Sequence, residues 1–140
     1  MKVICGKLKG RNIKGFDISG TRPTMDRVKE SVFAMIQDYL SNATVLDLFA
    51  GSGNLGIEAL SNGAKQAYFN DYNKKCINVI AENINNFNLM NDSIITNMDY
   101  MDALGYYKNN HISFDLVFLD PPYKEHIINK IILYIIENNL

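Results

Sequence analysis

The sequence feature that most constrains this chain is a run of glycines placed between a strand and a helix. The apolar segment 44–49 is followed by Gly51-Ser-Gly53-Asn-Leu-Gly56, and a helical pattern begins near residue 55. In this position a GxGxxG run lets a ligand approach the backbone and lets the helix pack closely against the strand. The run predicts an α/β domain with a ligand at the turn. Its alternative is a tight turn that binds nothing.

Strand and helix patterns alternate along the rest of the chain. Short apolar segments predict strands at 44–49, 66–70, 93–96 and 114–119. Helical periodicity predicts helices after Pro23, with Thr24 as the N-cap, and at about 55–62, 73–87, 100–107 and 124–138. Apolar strands that alternate with helices indicate a mainly parallel sheet covered by helices on both faces. Ligands of such sheets bind at the carboxyl ends of the strands.

Length and composition indicate one domain, residues 1–140. Apolar residues make up 47% of the chain, and its two cysteines, Cys5 and Cys76, lack the spacing of a disulfide or zinc framework. No apolar run approaches the roughly 20 residues of a membrane helix, and charges occupy the start of the chain, where a signal peptide would be apolar. We therefore expect a soluble, cytoplasmic protein that needs no metal.

Charge is distributed unevenly along the chain. Residues 1–30 carry eight lysines and arginines against three acids, a net charge of +5, and the remainder carries six bases against twelve acids, a net charge of −6. Segment 1–23 predicts a basic hairpin or extension ahead of a core at 24–140. Such a hairpin fits contact with a phosphate backbone through Lys7, Lys9 and Arg11, and its alternative is a solvated positive surface.

Two carboxylates near the glycine turn indicate which ligand it holds. Asp71 lies twenty residues after Gly51, at the end of the second strand, where a carboxylate can accept hydrogen bonds from ribose hydroxyls. Asp47 lies close to where a dinucleotide would place its pyrophosphate, and it would repel that anion. It suits the ammonium group of an amino-acid tail, which favours S-adenosylmethionine over NAD. The alternatives are that Asp47 caps backbone amides and that Asp71 is a surface carboxylate.

A second motif, Asp120-Pro121-Pro122-Tyr123, directly follows the fourth strand. The prolines fix the backbone and remove two N–H donors, so the loop presents carbonyl acceptors beside a carboxylate and an aromatic ring. The Asp120 carboxylate and the Pro121 carbonyl suit the two hydrogens of an exocyclic amine, whose lone pair they would turn toward an electrophile. Tyr123 suits stacking on the base. The alternative is a rigid turn with a packed tyrosine.

Several segments together resemble a known class of enzyme. DLFAGSGNLGIEAL, FND, NMD and DPPY resemble the class I S-adenosylmethionine-dependent methyltransferases that modify exocyclic amines. Upstream, VICGKLKGRNIKG and TRPTMDRVKESVF resemble the RsmD family, which methylates guanine N2 in the small-subunit (16S) ribosomal RNA of bacteria. The resemblance covers essentially the whole chain. It implies a Rossmann-like sheet of seven strands, of which this chain supplies the first four.

The resemblance also implies roles for individual residues. The methionine end of the cofactor would be held by Asp47, Gly51 and Gly53, its ribose by Asp71 and its adenine amine by Asp99. The target base would be served by Asp120, Pro121 and Tyr123. Arg22 and Thr24 would line the site on the cofactor side, and Arg27 would line it on the substrate side.

The resemblance leaves two other functions open. An adenine-N6 DNA methyltransferase would use the same Asp120 and Tyr123. A noncatalytic remnant that binds RNA or the cofactor would fit a chain without the later strands. We expect a monomer that acts on ribosomal RNA or on the small-subunit particle, with no membrane and no metal.

Overall fold

Four strands pair side by side in a single direction in the computed structural model, which describes residues 1–15, 23–122 and 125–140, the side chains of 23–25 and 125 excepted. The strands are β1 (Thr44–Asp47), β2 (Gln66–Asn70), β3 (Ser93–Thr96) and β4 (Leu116–Phe118). They form a parallel sheet in the order β3-β2-β1-β4. The predicted parallel α/β sheet is confirmed.

Five helices cover this sheet on both faces. They are α1 (Pro23–Ile36), α2 (Asn54–Ser61), α3 (Lys74–Asn86), α4 (Tyr100–Asn109) and α5 (Glu125–Glu137). One hydrophobic cluster joins α1, α2 and α3 to one face, and a second joins α4 and α5 to the other. None of the helices in the described ranges is long and apolar enough to cross a membrane.

Alternation along the strands produces the two clusters. In β1, Val45 and Leu46 are both fully buried, but Val45 packs in the first cluster and Leu46 in the second. Successive side chains of a strand point to opposite faces, so a strand with helices on both sides is apolar at every position. Because both faces are buried, the sequences of the strands are continuous apolar runs rather than an alternation of apolar and polar residues.

Two strands are shorter than their apolar runs predict. The amide of Phe114 donates to the carbonyl of Leu140 (3.1 Å) rather than to the sheet, and β4 begins only at Leu116. At the end of β1, the Leu48 amide still reaches the Phe118 carbonyl at 3.3 Å, after which the chain turns. The limits of these strands are therefore set by hydrogen-bond partners, which the hydrophobic pattern does not specify.

The N-terminal segment forms a short hairpin over the first cluster. Lys2 and Asn12 make an isolated antiparallel bridge, and Val3 and Ile13 are buried beneath it. The Val3 amide donates to the Arg11 carbonyl at 2.9 Å. The predicted hairpin is thus confirmed for residues 1–13, and its continuation through residues 16–22 lies outside the described residues.

The expectation that Thr24 caps α1 is wrong. The helix begins at Pro23, so Thr24 lies inside its first turn and is not the N-cap. Proline suits this first position because its missing N–H would have no partner there and its φ is already helical. Lys29 is spaced to pair with Asp26 on the helix surface, but its ammonium group is instead buried against Glu58 of α2, 3.0 Å away.

Candidate active site at the carboxyl edge of the sheet

Four carboxylates lie at or just beyond the carboxyl ends of the four strands, at the same edge of the sheet. Because the strands are parallel, their carboxyl ends meet there, and the strand order arranges the acids as Asp99, Asp71, Asp47 and Asp120. Neighbouring strands lie about 4.8 Å apart, so the outer tips, those of β3 and β4, are separated by roughly 14 Å. The residues predicted for the adenine, ribose, methionine and target-base positions thus lie in that order along one edge.

The glycine turn lies between β1 and α2, as predicted. Gly51 and Gly53 both have positive φ angles, of 58° and 86°, which let the chain reverse sharply before Asn54 begins the helix. Gly56, in the first turn of α2, lies directly against the ring of Phe69 on β2, and no Cβ would fit between them. The predicted close packing of helix on strand is confirmed at this position.

Asp71 holds the glycine turn directly, a contact that sequence reasoning missed. Its Oδ2 accepts a hydrogen bond from the Gly51 amide (2.9 Å), and its Oδ1 accepts one from the Asn73 amide (2.9 Å). Asn73 in turn caps α3 by accepting from the Lys75 amide (2.9 Å). The carboxylate is half-buried. It therefore shapes the turn at the same edge where a ribose would lie.

Asp47 is almost completely buried, with 1% of its surface exposed, and its Oδ2 accepts from the Gly56 amide at 3.1 Å. This is the amide-capping geometry that the sequence left as an alternative. Burial raises the pKa of Asp47 from 3.8 to about 7, the Gly56 hydrogen bond opposes that shift, and the charges of Asp120 and Asp71 add to it. These charge effects mean that Asp47, Asp71 and Asp120 share one electrostatic environment.

Asn70, at the end of β2, is a residue that sequence reasoning missed. Its side chain is buried and donates to the carbonyls of Leu48 (3.3 Å) and Met98 (3.0 Å), and its Oδ1 accepts from the Thr96 hydroxyl (2.8 Å). It thereby joins the loops that follow β1, β2 and β3. Its signal in the sequence is a polar residue that ends an apolar strand immediately before a candidate site residue.

Asp99 and Asp120 present carboxylates more openly. Asp99 is exposed and caps α4, its Oδ2 accepting from the Met101 amide at 3.1 Å. Asp120 is exposed and Pro121 half-buried, in the loop two residues beyond the end of β4. Tyr123 lies outside the described residues.

On the N-terminal side the predicted site residues are only partly described. Arg22 lies outside the described residues, as does the side chain of Thr24. Arg27 is exposed in the first half of α1, six residues before the buried Phe33. Phe33 stacks on Phe118 of β4 with ring centroids 5.5 Å apart. This contact fixes α1 over the strand that precedes Asp120.

The basic N-terminal residues do not form one surface. Lys7 and Lys9 are exposed, and the Lys7 amide donates to the Ser61 carbonyl at the far end of α2 (2.9 Å), about 12 Å along the helix axis from the glycine turn. The Arg11 guanidinium lies 4.7 Å from the centre of the Phe87 ring. Lys29 is buried. These four basic residues thus lie in three different surroundings: the hairpin tip, an aromatic contact and the protein interior.

The described residues contain no group of three or more His, Cys, Asp or Glu side chains placed to hold a metal ion. Cys76, the one thiol near the site, is half-buried, and burial together with the nearby Asp71 charge raises its pKa to about 11. A thiol with so high a pKa is a poor nucleophile. Among the described residues, this edge presents carboxylates, backbone carbonyls and backbone amides.

The parallel sheet, its glycine turn and its row of carboxylates define an α/β protein of the Rossmann-like methyltransferase class. The chain belongs to the RsmD family: the family model described as "Conserved hypothetical protein 95" matches residues 1–140. The resemblance predicted from the motifs is confirmed.

Named relatives agree with this assignment. The chain is 42% identical over 137 residues to YlbH of Bacillus subtilis, provisionally named an rRNA methyltransferase, with 98% of this chain and 74% of YlbH covered. It is 36% identical over 140 residues to ribosomal RNA small subunit methyltransferase D of Haemophilus influenzae, covering 99% of this chain and 72% of that protein. The solved structure of Escherichia coli yhhF, provisionally described as a methyltransferase, superimposes with a TM-score of 0.84 at 29% identity, covering 99% of this chain and 73% of yhhF.

Proposed function

We propose that this protein transfers a methyl group from S-adenosylmethionine to the exocyclic N2 amine of a guanine in small-subunit ribosomal RNA. The observation that carries the proposal is the placement of Asp120 two residues beyond the end of β4, the strand whose Phe118 pairs with Asp47, at the same edge as the glycine turn. The names of the relatives support ribosomal RNA as the substrate. The choice of guanine N2 rests on the resemblance to the RsmD family and on the Asp-Pro-Pro-Tyr motif.

The negative charges of the residues at this edge of the sheet complement the positive charges of this cofactor. S-adenosylmethionine carries a sulfonium and an ammonium group, and when bound it supplies an electrophilic methyl group. Asp47, Asp71 and Asp99 place carboxylates along the edge in the order of the amino-acid, ribose and adenine parts. A dinucleotide would bring its pyrophosphate close to Asp47, where the two anions would repel each other.

We propose that Asp120 and the Pro121 carbonyl hold the target amine. Each accepts one hydrogen of the amine, which draws the nitrogen lone pair out of conjugation with the base. As the nitrogen becomes methylated it must lose a proton, and the exposed Asp120 carboxylate can accept that proton and pass it to water. Most of the rate acceleration then comes from alignment of the reacting atoms. Tyr123 is proposed to stack on the base, which must leave its helix to reach it.

The distance between the hairpin tip, at Lys7 and Lys9, and the glycine turn indicates a substrate that is large enough to contact both. Lys7 and Lys9 lie about one α2 length from the glycine turn, so a single nucleotide could not contact both regions. A folded RNA can place its phosphates at the tip and one base at the edge of the sheet. We further propose that residues 1–140 act as one domain and as a monomer in the cytoplasm.

The test is a labelled-methyl assay on three substrates: small-subunit particles, free small-subunit ribosomal RNA and duplex DNA. We expect label in an RNA substrate and its recovery as N2-methylguanosine after digestion to nucleosides. Label in duplex DNA as N6-methyladenine would replace this proposal by the adenine alternative. Cofactor binding without transfer to any of the three would indicate a noncatalytic protein.

A further inference from the structure

A lysine and a glutamate outside the row of carboxylates form a completely buried ion pair. The Lys29 ammonium group of α1 lies 3.0 Å from Glu58 Oε1 of α2, and the two side chains are 2% and 0% exposed. Buried charges are costly unless every hydrogen-bonding group is satisfied. The partners of this pair therefore show what the charges hold in place.

Glu58 holds the N-terminal segment. Its Oε1 accepts from the Ile4 amide at 2.8 Å, and its Oε2 accepts from the Cys5 amide at 3.0 Å. The Asn62 side chain also donates to Oε2, at 2.9 Å. Two consecutive backbone amides of the hairpin thus donate to one carboxylate of α2. The exposed Lys7 follows them two residues later in the chain.

Lys29 extends the same cluster to the glycine turn. Its ammonium group donates to the Lys2 carbonyl and to Asn54 Oδ1, each at 2.7 Å. Asn54 directly follows Gly53 and is the first residue of α2. With Glu58, these acceptors occupy all three ammonium hydrogens. One buried cluster therefore joins the hairpin, α1 and the helix that begins at the glycine turn.

A second ion pair of the same residue types provides a contrast. Lys14, also in the N-terminal segment, lies 2.9 Å from Glu82 of α3, but these side chains are 57% and 46% exposed. Water screens such a pair and competes for its hydrogen bonds, so it restrains the backbone weakly. The buried pair has no competing water and fixed partners on both sides, so it restricts the relative position of the segments that it joins.

We infer that Glu58 and Lys29 are positioning residues that fix the hairpin and α1 relative to the glycine turn. The inference rests on the proposed function, in which the hairpin contacts the RNA and the glycine turn holds the methyl donor. Small displacements between acceptor and donor slow a displacement reaction strongly, by about a hundredfold per ångström in unfavourable cases. The pair thus acts on the reaction without touching substrate or cofactor.

The experiment compares Glu58→Gln, which keeps the shape but removes the charge, with the matched exposed control Glu82→Gln. For Glu58→Gln we expect tryptic cleavage after Lys7 or Lys9 to become about tenfold faster, because opening of the segment becomes easier. We expect its cofactor Kd to stay within about threefold and its kcat for RNA methylation to fall at least about tenfold. The Glu82→Gln control should match the wild type in all three measurements.

A double variant, Lys29→Met with Glu58→Gln, separates positioning from stability. It leaves no unpaired buried charge, so its melting temperature should exceed that of Glu58→Gln. Its kcat should nevertheless remain low, because the charged contacts to the hairpin and to Asn54 are still missing. If the single variant Glu58→Gln does not fold, the double variant still allows the cleavage rate and kcat to be measured. A kcat that recovers together with stability would overturn the positioning role.

The two proposals fail in different ways. If the wild type methylates none of the substrates, the proposed function fails, while the tryptic cleavage rates still show whether the pair holds the hairpin. If cleavage in both variants matches that of the Glu82→Gln control, the pair does not hold the segment and the inference is overturned. Faster cleavage with an unchanged kcat would also overturn it, because release of the hairpin would then have no effect on the rate of methyl transfer.

Discussion

The backbone amide of Gly51 donates a 2.9 Å hydrogen bond to the carboxylate of Asp71, which lies twenty residues later in the chain. One side chain therefore shapes the glycine turn after β1 from its position after β2. The other oxygen of Asp71 accepts from the Asn73 amide, at the start of α3. Loss of this carboxylate would affect the turn as well as any ligand that it contacts.

The first prediction concerns Asp71→Ala. We expect the Kd for S-adenosylmethionine, measured by isothermal titration calorimetry, to rise at least about tenfold, because ribose contacts and the support of the turn are lost together. Asp38→Asn, an exposed carboxylate beyond the end of α1, is the control and should bind normally. An unchanged Kd in Asp71→Ala would refute the ribose role.

The second prediction concerns Asp120→Ala. Asp120 is exposed at the tip of β4 and is proposed to contact the target amine but not the cofactor. We expect methyl transfer to fall by at least about a hundredfold, while the cofactor Kd stays within about threefold. Transfer at the wild-type rate in a labelled-methyl assay would remove Asp120 from the mechanism.

The third prediction concerns stability and the buried Asp47. Its pKa is raised from 3.8 to about 7, so the unfolded chain loses this proton at lower pH than the folded protein does. The contribution of Asp47 to the free energy of unfolding therefore decreases as pH rises from about 4 to about 7, by up to about 4 kcal/mol, and is constant above that range.

Asp47→Asn isolates this effect, because asparagine can still accept from Gly56 but does not ionise. In urea titrations at a series of pH values, the variant should gain stability relative to the wild type between pH 4 and pH 7. A stability difference that does not vary with pH would mean that Asp47 titrates normally.

The fourth prediction tests the proposed contact between Asp47 and an ammonium group. A positive ligand favours the carboxylate, so cofactor binding below pH 7 should release a proton, and affinity should increase between pH 5.5 and pH 7. Calorimetry in two buffers with different ionisation enthalpies measures that proton. In Asp47→Asn the release should vanish. Equal release in both proteins would assign the proton to another group.

The fifth prediction concerns the hairpin tip. Lys7 and Lys9 are exposed, whereas Arg11 already lies over the Phe87 ring and donates to the Asn86 carbonyl at 3.1 Å. Reversing both lysines to glutamate should weaken RNA binding and reduce the slope of log K against log salt by about one per lost phosphate contact. Reversing Lys108, an exposed lysine in the last turn of α4, is the control. An unchanged slope in the double variant would exclude the hairpin tip as a docking surface.

Much of this molecule could be predicted from the sequence because the signals are local. The bounds of β2 and β3 and the turn at Gly51 to Gly53 were each predicted and are confirmed. Strand-length apolar runs, capping residues and glycines act within a few residues, so their effect can be predicted from neighbouring positions. The placement of candidate acids just after strands follows from the same local patterns.

The side-chain partners could not be predicted in this way. Helical spacing alone would allow Lys29 to pair with Asp26, whereas in the folded chain its ammonium group lies 3.0 Å from Glu58 of α2, twenty-nine residues away. The charge count treats residues 1–30 as one basic block, but burial removes Lys29 from the surface, and the exposed Arg11 lies against the Phe87 ring. Such partners depend on which helix faces cover which strands.

The sequence alone determined the elements, the glycine turn, the motif residues and the family, because each is encoded by residue type and spacing along the chain. Only the tertiary structure decided the order β3-β2-β1-β4, and with it the row of Asp99, Asp71, Asp47 and Asp120 at one edge. It also decided that Asp47 is buried and that Glu58 clamps the hairpin. The physical reason is that burial and hydrogen-bond partnership are properties of distant segments brought together, and local spacing carries no information about which segments meet.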